Sequence, residues 1–129
     1  MANTKTALGK IPVILRSGNP SGIIQPYVVT LDTAADFDLH TPASNNFVAV
    51  MGLLVAEATA GTLTFKSGTA PTTLVALEMA ANYNLIHRID RPLLLTANPG
   101  EKLTILGSAA VTSMIIYLME CSRLSLESL

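Results

Sequence analysis

Apolar and polar positions alternate along much of this chain with a period of two, the period of a half-buried strand. Asp36-Phe37-Asp38-Leu39-His40 is one such stretch. Residues 62–66 form another, with Leu63 and Phe65 on one face. Residues 27–31, 85–89 and 92–96 are short β-rich runs. Residues 47–56 make a long apolar strand in which Gly52 marks a bulge or a close backbone approach. Turn chemistry separates these runs at 42–46, 59–61 and 67–71. Segment 72–83 reads two ways. Leu74, Leu77 and Ala81 have helical spacing, while the neighbouring strands favour a further strand.

The end of the chain repeats the pattern more strongly. In Asn98-Pro99-Gly100-Glu101, Pro99 presets φ at the first central turn position and Gly100 tolerates positive φ at the second. Lys102, Thr104 and Leu106 then alternate with Leu103, Ile105 and Gly107. No charge falls between Leu103 and Met119, which raises the question of a membrane span. A span needs about 20 apolar residues. This run is shorter, broken by Gly107, Ser108, Thr112 and Ser113, and rich in β-branched residues. It predicts two strands, 101–107 and 111–120, with a short loop between. The second is apolar on both sides, so the core covers one side and a neighbouring subunit is expected on the other. Ile115, Ile116, Tyr117 and Leu118 are its candidate core or subunit contacts.

Residues 1–26 differ in character. The stretch RSGNPSGIIQP reads as an extended arm. Ile11, Val13, Ile14 and Leu15 form an apolar patch within it, and Pro12 confines that patch to an edge strand or an extension outside the sheet. Such an arm packs on its own domain or on another subunit. The expected organisation is an arm over 1–26, a β-sandwich over 27–121 and a tail over 122–129. Short strands with turns every 8–12 residues or so are the mark of an all-β sandwich or barrel.

Composition sharpens this picture. The chain has 129 residues, 50% hydrophobic and only 13% charged, with a net charge of −1. Soluble domains carry about 25% charged residues. The shortage predicts that lipid or other subunits cover part of the surface, and self-association, as a homotrimer, is the expected form. No Lys/Arg cluster provides a footprint for nucleic acid or an anionic membrane. The start of the chain has no apolar signal-peptide core, which predicts synthesis in a cytoplasm.

Little chemistry is encoded. Asp36, Asp38 and His40 share a strand face and form either a metal-binding stripe or, as preferred here, a solvated face, because a site needs three or four convergent ligands. His87, Arg88, Asp90 and Arg91 form the densest charge cluster. It can bind an anion, but local ion pairs or contacts with a protein partner are the preferred reading. Cys121 reads as a small buried hydrophobe. There is no nucleophile elbow and no phosphate-binding glycine loop. With no Trp and 5% aromatics, a sugar-stacking platform is poorly supplied. No catalytic residue, metal or cofactor is expected.

Two stretches carry a resemblance: NFVAVMGLLVAEATAGTLTFKSGTAP (46–71) and RPLLLTANPGEKLTILGSAAVTSMIIYLME (91–120). Together they resemble the opening strand pair and the closing turn and strand pair of small jelly-roll structural proteins of tailed bacteriophages. Within that group the chain is most similar to capsid decoration, or cement, proteins. The resemblance implies an antiparallel jelly-roll β-sandwich and a place on the capsid surface of the virion. It also implies the major capsid protein as partner, often with trimeric association. The shell-contact candidates are then Ile11, Val13, Ile14 and Leu15 of the arm and His87, Arg88, Asp90 and Arg91 of the charged loop. Similar jelly rolls in tails, fibres and head fibres leave a second expectation, a module that binds a host receptor or carbohydrate.

Overall fold

The computed structural model describes residues 3–14, 20–57, 59–80, 83–87, 93–108 and 112–122. The described residues hold eleven strands and no helix. These are β1 (Thr4–Ala7), β2 (Ile11–Ile14), β3 (Pro20–Leu31), β4 (Phe37–His40), β5 (Asn46–Glu57) and β6 (Gly61–Ser67). β7 (Thr72–Met79), β8 (Tyr83–His87), β9 (Leu94–Leu95), β10 (Leu103–Gly107) and β11 (Thr112–Ser122) complete them. A seven-stranded sheet has the path β1-β3-β11-β5-β8, with β2 also on β3 and β9 also on β5. A four-stranded sheet has the order β4-β10-β6-β7. Every pairing is antiparallel. Within them β3-β11-β5-β8 faces β4-β10-β6-β7. The chain alternates between the sheets in the double Greek key of a jelly roll. The fold class expected from sequence is therefore the one observed. No helix among the described residues is long and apolar enough to cross a membrane.

Local chemistry explains the elements. The ambiguous segment is a strand, β7, because its register with β6 sets Leu77 opposite Leu63 and Val75 opposite Phe65. Tertiary pairing thus overrides its helical propensity. Pro12 lies in β2, which among the described residues pairs with β3 alone, as suits a proline. In the turn before β10, Gly100 has φ +80° and Glu101 N–H donates to Asn98 O at 3.3 Å, a type II turn. Gly52 sits at a bulge: Tyr117 pairs with Gly52 and Leu118 with Val50, leaving Met51 unmatched. The bulge flips the facing of β5. Val48 and Val50 point into the sandwich before it, and Leu53 and Val55 after it.

The core between the sheets includes Val29, Leu31, Leu39, Val50, Leu53, Leu63, Phe65, Leu103, Ile105 and Ile116. Fully burying one such side chain contributes about 1.5–3 kcal/mol. A second cluster, Ile24, Phe47, Ala49, Met51, Met119 and Cys121, lies on the other side of the seven-stranded sheet.

Two sequence expectations change. The strands 101–107 and 111–120 exist, but β10 and β11 lie in different sheets and do not pair with each other. Hydrogen bonding does not divide the chain at 26/27, since β3 runs through that boundary and β1 and β2 pair along it. Asn3 fastens this region further: its Oδ1 accepts from Asp32 and Thr33 N–H, and its Nδ2 donates to Ala35 O. The four contact candidates of β11 divide along the alternation of the strand, with Ile116 and Leu118 in the core and Ile115 and Tyr117 on the opposite side.

Candidate functional site

Two surfaces stand out. The first is the outer side of the seven-stranded sheet. Register places Ile115 between Val28 of β3 and Leu54 of β5, so the three form one row across adjacent strands. Val28 and Leu54 are each 39% exposed, and Ile115 is half-buried. The next row is Thr30, Ser113 and Ala56, and Thr6 of β1 sits beside Val28. No described side chain on this side of the sheet is charged. Antiparallel sheets with one free face normally turn polar residues outward. Farther along the same side, Ile24, Met119, Ala49 and Leu95 form a second row in register, continuous with the buried second cluster. Cys121 belongs to that cluster, and burial, helped by the Glu120 charge, pushes its thiol up to about 11. The thiol is a packing group, as its sequence context suggested.

The second surface is an open cleft of about 150 Å³ where β3, β4 and β11 meet, lined by Lys10, Ile23, Gln25, Tyr27, His40, Leu118 and Glu120. Glu120 organises it. Its Oε1 lies 2.7 Å from His40 Nε2, and its Oε2 accepts from Asn46 Nδ2 at 2.7 Å and Ala43 N–H at 3.1 Å. Burial raises the Glu120 pKa, but the hydrogen bonds from Asn46, His40 and Ala43 outweigh it and hold the carboxyl below its ordinary value. On the other flank Lys5 Nζ donates to Leu39 O at 2.5 Å and lies 4.9 Å from the centre of the Tyr27 ring. Gln25 Nε2 donates to Leu8 O and Pro26 O. Lys5, Tyr27, His40 and Glu120 therefore tie β1, β3, β4 and β11 together.

The Asp36-Asp38-His40 stripe is taken apart by its partners. Asp36 pairs with Lys66 at 2.9 Å, Asp38 with Lys102 at 3.0 Å, and His40 with Glu120. The hydrogen bond from Lys102 is the main cause of a lowered Asp38 pKa. Among the described residues no group of three His, Cys, Asp or Glu side chains stands where it can hold a metal. Ile11 is exposed on β2. Val13 and Ile14 lie in β2 and His87 in β8, and their side chains fall outside the described residues, as do Leu15, Arg88, Asp90 and Arg91 entirely. The Glu120–His40–Asn46 cluster escaped sequence reasoning because Glu120 lies 80 residues from His40.

No protein-family model matches the chain, and no curated protein matches it. Solved structures do. A subunit of Bacillus endospore appendages, described as disulfide-linked pili, is 15% identical with a TM-score of 0.51, over 81% of this chain and 91% of that one. The Schizosaccharomyces pombe Cnp3 cupin domain is 13% identical with a TM-score of 0.44, over 97% of this chain and 69% of that one. A family 6 carbohydrate-binding module is 12% identical with a TM-score of 0.35, over 95% of this chain and 88% of that one. The appendage subunit shares the β-sandwich fold, and the likeness extends no further than fold.

Proposed function

We propose that this protein is a virion structural protein, a cement that binds the outside of a phage head and stabilises contacts between capsomers. It acts through surface alone, with no catalytic step. One observation carries the reading: the sheet face bearing Val28, Ile115 and Leu54 has no described charge and leaves large apolar side chains in water. A sandwich that works alone has little use for such a face, and one that works in an assembly does. The resemblance of segments 46–71 and 91–120 to jelly-roll decoration proteins supplies the shell as partner. Pili built from a sandwich of this kind illustrate that the fold suits assembly.

A cement that binds the assembled shell and not its separated parts stabilises the shell by mass action. Thermal release of packaged DNA from heads with and without the protein tests the reading. The expected result is release at lower temperature without it. Identical release curves with lost host adsorption would replace this reading by a tail or fibre module that binds a receptor or carbohydrate. The cleft beside His40 and Tyr27 is the feature on that side.

A further inference from the structure

The proposed assembly role leaves open which surface joins this protein to what. We infer that the open end of the seven-stranded sheet's outer side is an interface between two copies of this chain, packed face to face about a two-fold axis. The inference rests on the assembly reading and names its first contact.

The occupant follows from charge. Interfaces between identical subunits are more apolar than other interfaces, and their centres are depleted of charge. Here the row Val28, Ile115, Leu54 is apolar, and its neighbours Thr30, Ser113 and Ala56 are small and uncharged. A second copy offers the same neutral surface. A partner with a charged surface would bury its charges here without counter-charges. The ion pairs Lys66–Asp36 and Lys102–Asp38 belong to the opposite sheet, which stays free in such a pair.

Symmetry follows from the number of patches. A two-fold contact uses one self-complementary patch on each copy, whereas a three-fold ring needs two different patches that fit each other. On the outer side of this sheet the row Val28, Ile115 and Leu54 forms such a self-matching patch. Sheets pack well face to face, about 10 Å apart, with their inner side chains interdigitated. The open end spans β1, β3, β11 and β5 over about three side-chain rows, a footprint of roughly 20 by 20 Å. Two such footprints total roughly 800 Å², the size of a weak, transient contact, so the pair is expected only toward high micromolar concentration and exchanges. The pair is an alternative to the homotrimer expected from composition.

Sedimentation equilibrium of the full chain from submicromolar to high micromolar concentration is the test. The expected mass rises from one chain toward two. Leu54→Lys places a charge in the row, and Ala56→Lys places one at its border, on a residue already exposed, where folding is unaffected. Each should weaken pairing at least tenfold while circular dichroism and the unfolding midpoint match the parent. A single-chain mass throughout, a three-chain mass, or undiminished pairing in both variants overturns the inference. Binding of the same variants to isolated heads separates the two levels. Variants that no longer pair but still bind heads support the interface and leave the cement reading standing. A parent protein that pairs but does not bind heads supports the interface and overturns the cement reading.

Discussion

At one end of the outer side of the seven-stranded sheet, Ile24, Ala49 and Met51 are 0% exposed and Met119 is 1% exposed. At the other end, Val28 and Leu54 are 39% exposed. Among the described residues both ends are uncharged, both are built from β3, β11 and β5, and the bulge at Met51-Gly52 lies between them. The same kind of residue therefore has two uses. At the closed end apolar side chains contribute to the fold of the single chain. At the open end a large part of each apolar side chain stays in water until another surface covers it. Hydrophobic content alone cannot distinguish the two uses; solvent exposure on β3, β11 and β5 can, while Ile11 at the edge of the closed row is 38% exposed.

The largest break in that contrast comes from a charge at the closed end. Met119→Asp strands a carboxylate among Ile24, Ala49 and Cys121, at a cost of about 3–5 kcal/mol. Urea unfolding should show a protein largely unfolded or far less stable. Next in size is the turn that pins the start of β5, where Gly100 N–H donates to Asn46 O at 2.8 Å. Gly100→Ala must hold φ near +80° and brings a Cβ to 3.0 Å from Ser44 O, so it should lose about 1–2 kcal/mol in the same measurement.

Acid probes the other side of β11. The Glu120 pKa is lowered on folding, so its contribution to stability is fully present above its ordinary value of 4.5. That contribution is lost as pH falls through the folded pKa. Glu120→Gln should therefore reduce stability by about 1 kcal/mol at neutral pH and flatten the decline between pH 5 and 3 or so, read by unfolding midpoints across that range. The smallest effect belongs to the open end. Leu54→Thr should change single-chain stability by less than about 0.5 kcal/mol at concentrations where the protein is unpaired.

Much of this was legible in the sequence because alternation is a local signal. Leu63 and Phe65 share the core face as their spacing requires, Gly52 marks a bulge, and Pro99-Gly100 makes a type II turn. The split of Ile115 from Ile116 follows from the same period of two. What alternation cannot tell is which strands pair. Adjacency in sequence suggests that β10 and β11 are neighbours in one sheet, yet the jelly-roll path sends them to opposite sheets. β1 gave no signal, since all four of its residues are exposed and it is held by backbone pairing with β3. The Glu120–His40 contact depends on that same long-range path.

The central claim is that one sheet face has a folding end and an association end, and thiol accessibility tests both ends in one sample. In the variant Ile115→Cys, the introduced thiol lies at the open end and Cys121 at the closed end of the same strand. Labelling with a thiol reagent, followed by peptide mass analysis, should show position 115 reacting readily in dilute protein and protected in concentrated protein. Cys121 should stay unreactive in both. Equal reactivity at position 115 in dilute and concentrated samples, or ready labelling of Cys121 in the folded protein, would contradict the account.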